Sequence, residues 1–187
     1  SEKTGTSLSK AGSSTPESSP QSGQREILPS RPEKTNARKL HAQRFEEMLT
    51  TLFKGKTPQE NAEYAKQISD EEIENIRQAQ RELEDYLNTP PSEQFIARML
   101  DVMAEVFQAQ VPSADALSQW VKFLREYPQD AIRVGARALM RTHKWRSLPL
   151  PADFQNAIIY TQFWVDLKSE RSMYELLLAR IERLKSL

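Results

Sequence analysis

Apolar residues recur at helical spacing through most of the chain, and Pro, Ser and Thr punctuate the runs. Phe45, Met48, Leu49, Leu52 and Phe53 stand at i, i+3, i+4, i+7 and i+8, one stripe of a helix closed by Gly55. Thr57-Pro58-Gln59-Glu60 then offers a capping Thr, a proline at the first helical position and a Glu that reaches back to the cap. Ser69-Asp70-Glu71-Glu72 repeats the capping logic ahead of Ile73, Ile76, Leu83 and Leu87. Pro90 and Pro91 end that element, and Ser92 caps the next, whose stripe is Phe95, Ile96, Met99, Leu100, Met103, Val106 and Phe107. This reads as the strongest core helix of the chain.

Pro112-Ser113 restarts the pattern with Leu117, Trp120, Val121 and Leu124, and Tyr127-Pro128 restarts it again with Ile132, Gly135, Ala136, Leu139 and His143. Leu148-Pro149-Leu150-Pro151 forms a rigid turn. Residues 153–167 and 173–184 then read as one long helix or two, because Ser169-Glu170-Arg171-Ser172 holds no breaker. Alternating strand patterns and Asn-Gly or Asp-Gly turns are absent from the sequence, so the expected class is all-α: a small multi-helix bundle. Its stripes place Phe95, Met99, Phe107, Trp120, Leu124, Leu139 and Phe154 in one core.

Composition adds a tail in front of this bundle. Residues 1–36 contain nine Ser, four Pro and three of the five Gly, and the first aromatic ring is Phe45. Such a segment buries too little apolar surface to offset its ordering entropy, so it is expected to be disordered. The organisation that follows is a disordered tail over 1–36, an acidic helical segment and linker over 37–91, and a compact helical domain over 92–187. The last amphipathic helix of that domain either folds back or pairs with a partner.

The formal net charge is zero, but the charges are segregated: residues 1–44 carry eight Lys/Arg against four Asp/Glu, and residues 60–93 carry ten acids against three bases. A protein that coats nucleic acid along its whole surface is therefore not expected, whereas both signs of surface are on offer to partners. The chain has no cysteine, which removes disulfides and thiolate metal sites, and nothing in it calls for an oxidising compartment. No apolar run approaches the roughly 20 residues that span a bilayer, and the polar N-terminus lacks the hydrophobic core of a signal peptide. The expectation is a cytoplasmic protein without a membrane partner.

Catalytic signatures are missing. His41 and His143 stand far apart and belong to no metal-spaced cluster, and no Gly-x-x-x-x-Gly-Lys-Ser/Thr string cradles a phosphate. The carboxylates Asp70, Glu71, Glu72 and Glu74 sit at a helix start, where capping and the macrodipole account for them. No enzymatic activity, metal or cofactor is expected. What remains is a basic ridge. Between Ala131 and Leu148 there are five bases and no acid, with Arg133, Arg137 and Arg141 spaced four apart and Lys144 and Arg146 continuing the row. On a helix these project away from Ile132, Ala136 and Leu139. Such a ridge suits nucleic-acid phosphates, an acidic protein surface including residues 70–85 of the same chain, or plain solvent. Trp145, between Lys144 and Arg146, suits stacking on a base, anchoring an interface, or plugging the helix corner against Phe154.

The run Phe95-Ile-Ala-Arg-Met-Leu, the Trp120 helix, the Tyr127-Pro128 restart, the small-residue helix to Arg141 and the turn Leu148-Pro149-Leu150-Pro151-Ala152-Asp153-Phe154 follow one another in order. Over residues 93–160 this order resembles the helical domain of phage replicative helicase loaders and related replication-accessory proteins. The resemblance implies an adaptor that works without ATP and binds a replicative helicase or an initiator protein. The basic ridge and Trp145 are then the candidate contacts. Two other readings stand beside it: a nucleic-acid-binding regulator in which tail and ridge track DNA, and an assembly protein that forms a homo-oligomer through its terminal helix.

Overall fold

A computed structural model of the chain describes residues 36–54, 57–144 and 146–187. Among the described residues there are eight helices and no strand: α1 (Asn36–Phe53), α2 (Pro58–Gln67), α3 (Asp70–Asn88), α4 (Glu93–Phe107), α5 (Ala114–Leu124), α6 (Gln129–Thr142), α7 (Pro151–Ile159) and α8 (Gln162–Lys185). The class is all-α. The expected disordered tail and the closing Gly55 lie outside the described residues, apart from Asn36, with which α1 begins.

Hydroxyl caps set most of the helix starts. The Thr57 side chain accepts from the Glu60 N–H while the Glu60 carboxylate accepts from the Thr57 N–H, and Ser69 and Glu72 make the same reciprocal pair. Ser92 accepts from the Phe95 N–H and Ser113 from the Ala116 N–H. Each cap satisfies donors that the first helical turn cannot. At α7 the cap residue is Leu150, whose side chain accepts nothing; the Asp153 carboxylate accepts from its N–H, and Pro151 supplies the fixed φ of a first helical residue.

The break that residues 169–172 left open lies earlier in the chain. Those residues run unbroken through α8, and the chain turns at Tyr160–Thr161. The Thr161 hydroxyl donates to the Ile158 carbonyl at 2.6 Å and accepts from the Trp164 N–H, ending α7 and starting α8 with one side chain. At about 1.5 Å per residue α8 is roughly 36 Å long, and it serves two cores.

The first core is built from α4, α5, α6 and α7. Ile96, Leu100, Met103, Leu124, Ile132, Phe154 and Ile158 are all but sealed from solvent there, with Phe107, Trp120 and Leu139 buried beside them. Phe95 and Met99 pack against this cluster from its edge, and Phe163 and Trp164 of α8 close it. The second core joins Met48 and Leu52 of α1, Ala65 of α2, and Ile73 and Ile76 of α3 to Leu177, Leu178, Ile181 and Leu184 of α8. The apolar stripe of the last helix therefore folds back on α1–α3. Between the two cores, Leu83 and Leu87 meet Leu167, and the Tyr86 hydroxyl donates to Asp130 Oδ2 at 2.8 Å, tying α3 to α6.

Polar contacts pin the second core at its surface. Arg44 donates from Nε to Glu72 Oε1 at 2.8 Å and from Nη1 to Glu47 Oε1 at 2.8 Å and Tyr64 Oη at 3.1 Å, so one guanidinium joins α1, α2 and α3. Burial alone would raise the Glu72 carboxyl, yet hydrogen bonds from Arg44 and the Ser69 backbone outweigh it and hold that group below the ordinary carboxylate range.

One glycine fixes how closely α6 and α7 cross. A Cβ placed on Gly135 would lie 2.6 Å from Ile158 Cγ1 and 3.3 Å from Ile158 N. Gly135→Ala gains about 1 kcal/mol of helix propensity, whereas overpacking a filled core costs about 1–3 kcal/mol. Ile158 is fully buried and its backbone nitrogen is also close, so the second effect wins. The expected result is a net loss of up to about 2 kcal/mol in urea unfolding; a raised midpoint would show that α7 retreats freely.

Candidate functional site

Periodicity puts Arg133, Arg137 and Arg141 on α6, and all three are exposed. The helix ends at Thr142, so Lys144 and Arg146 leave the row and fall in the connection to α7. The departure has a local cause: His143 is extended, its ring packs edge-on against Phe107 with centroids 4.8 Å apart, and its Nε2 lies 2.8 Å from the Ser147 carbonyl. Lys144 then lines a separate depression with Leu139, Thr142, His143 and Asp153. Trp145, the sixth candidate residue, lies outside the described residues.

Beside the ridge runs a groove between α4 and α6. Its apolar lining is Phe95, Met99, Val102 and Met103 from α4 with Ala136 and Met140 from α6. Its charged lining is Arg98 from α4 and Arg133 and Arg137 from α6. The volume is about 230 Å³, below the roughly 300–1,000 Å³ of small-molecule pockets.

The arginines around it are not equivalent. Arg133 donates from Nη1 to Asp130 Oδ1 at 3.0 Å and sits 5.5 Å over the Phe95 ring, so it is held within α6 and partly roofs one end of the channel. Asp130 in turn accepts from Tyr86. The α3 carboxylates Glu72, Glu84 and Asp70 meet Arg44, Arg171 and Lys185 of α1 and α8.

Arg98 and the outward face of α4 were not singled out by the ridge pattern. The signal for them is the width of the apolar arc on α4. Ile96, Leu100, Met103 and Phe107 form one seam, and Phe95, Met99, Val102 and Val106 form a second, rotated by one residue. Only the first is sealed; Val102 and Val106 are 51% and 52% exposed. A core stripe needs one seam, and a second apolar seam on the same helix faces outward.

Among the described residues no group of three or more His, Asp or Glu side chains is placed to hold a metal ion, and no helix is long and apolar enough to cross a membrane. No family model, curated protein or solved structure matches this chain.

Proposed function

We propose that this chain is a non-enzymatic adaptor of DNA replication, resembling a phage helicase loader, that holds a replicative helicase or initiator through the face formed by α4 and α6. The supporting observation is the apolar groove bordered by Arg98, Arg133 and Arg137. A grip on phosphates needs cations alone, whereas Phe, Met and Arg around an exposed apolar channel match the composition of protein interfaces. The partner class comes from the order of the Trp120 helix, the Tyr127-Pro128 restart and the proline turn.

The test replaces Arg133, Arg137 and Arg141 by Glu. Exposed charges contribute little to stability, so the fold persists. Binding to the hexameric replicative helicase is expected to weaken by about tenfold or more, while single-stranded and duplex DNA bind weakly before and after. Affinity for DNA that falls steeply with salt and disappears in the variant would instead establish a nucleic-acid regulator. Undiminished helicase binding would detach the ridge from the adaptor role.

A further inference from the structure

The groove is built to a length and a periodicity, and both specify its occupant. Phe95, Met99 and Val102 line it at spacings of four and three residues, the repeat of a coiled-coil seam, over about 10 Å of helix axis, and exposed Val106 continues the row on α4 beyond the groove. Across the channel, Ala136 and Met140 of α6 are four apart and supply the facing row. Two helices that present such rows side by side leave one position for a third helix, whose side chains fill the holes between theirs. Met99 and Met140 are unbranched and partly exposed, so they adjust to the side chains that arrive.

Charge selects among helices. The channel is bordered by Arg98 on the α4 side and by Arg133 and Arg137 on the α6 side, and all the charged groups that line it are cationic. Arg133 already bonds to Asp130, which leaves Arg98 and Arg137 as the pair that flanks an incoming helix on its two sides. A helix that carries carboxylates on both flanks of an apolar row meets them at once, and a basic helix is repelled twice.

We infer that the α4–α6 groove is a docking site for an acidic amphipathic helix of a partner protein. This rests on the adaptor reading and deepens it, by giving the chemistry of the partner segment.

The probe is a synthetic peptide of about 18 residues, with Leu at heptad a and d positions and Glu at the flanking positions. Two controls share its length: one has Lys in place of Glu, and one has a central proline. Isotope-labelled full-length protein is titrated with each, and amide shifts are followed by NMR. The acidic peptide is expected to move amides of α4 and α6 and to bind at least about tenfold tighter than the Lys peptide. The proline peptide loses that affinity. Val102→Glu, at a half-exposed position that leaves the thermal melt unchanged, weakens the acidic peptide by a similar factor. Arg98→Glu with Arg137→Glu inverts the preference in favour of the Lys peptide.

Equal affinity for the acidic and Lys peptides, full affinity for the proline peptide, or shifts confined to other helices would each overturn the proposal. So would two other occupants of the same face: an oligothymidylate that moves these amides more strongly than the peptide, or concentration-dependent shifts without any ligand, the mark of a second copy. The adaptor reading fails separately. Helicase binding that needs the ridge, with no peptide response, removes the helix and keeps the adaptor; a peptide response without helicase binding does the reverse.

Discussion

Trp120→Ala should lower the unfolding free energy by about 3–5 kcal/mol, a large share of the 5–15 kcal/mol that holds a typical domain together. The indole is 6% exposed and meets Phe154 edge-on at 5.7 Å and Phe123 at 6.5 Å. Such geometry adds to the area it buries. Collapse cannot fill the space it would leave: Phe154 and Leu124 on either side are sealed, and α6 and α7 are locked by the contact of Gly135 with Ile158. Urea unfolding should show a lower midpoint with an unchanged slope. Trp120→Phe keeps a ring in place and should lose less. A midpoint for Trp120→Ala equal to that of the unaltered protein would remove Trp120 from the core.

The parts of the fold legible in the sequence are those decided within one helical turn. Thr57, Ser69, Ser92 and Ser113 each cap the helix that follows them, because a cap needs only its own hydroxyl and an N–H three residues on. Thr161 does the same work and was not legible. No proline marks it, as Pro91 and Pro112 mark Ser92 and Ser113, and no Glu stands three residues on, as at Thr57 and Ser69; the apolar run Ile158-Ile159 before it joins smoothly to Phe163-Trp164 after it. Periodicity then sees one helix where the chain makes a corner. Longer-range choices leave even less trace. The stripe Leu177, Leu178, Ile181 and Leu184 says that a face must be covered, and only the packing of α1–α3 says by what.

The site was legible to the same degree. Arg133, Arg137 and Arg141 stand out through spacing alone, but their neighbours do not. Arg98 is a lone base on an apolar helix, and it gains meaning when α4 and α6 place it across a channel from Arg137. Lys144 and Arg146 look like the continuation of the ridge because no proline or glycine follows Thr142 directly. The helix stops there through contacts of His143 with Phe107 and Ser147, a tertiary decision. The double seam on α4 is present in the sequence, but a single core stripe absorbs Phe95, Met99 and Val106 and passes over Val102.

The second large effect concerns α8. Leu177 is fully buried among residues of α1, α2 and α3, so Leu177→Ala should cost about 2–5 kcal/mol. Its position makes the spatial pattern of the loss as informative as its size. The α1–α3 core obtains one whole wall from the C-terminal half of α8, whereas the α4–α7 core uses only Phe163 and Trp164 near the start of the same helix. Amide exchange in native buffer should therefore accelerate most in α1–α3 and in residues 173–185, with α4, α6 and α7 retaining more of their protection. The Leu83, Leu87 and Leu167 contact and the Tyr86–Asp130 hydrogen bond are the bridges that pass strain from one core to the other. Adding Tyr86→Phe to Leu177→Ala should weaken this link and widen the difference in protection. Uniform loss of protection in all eight helices would show instead that α8 welds them into one cooperative unit, and the groove between α4 and α6 would then share the stability of the whole chain.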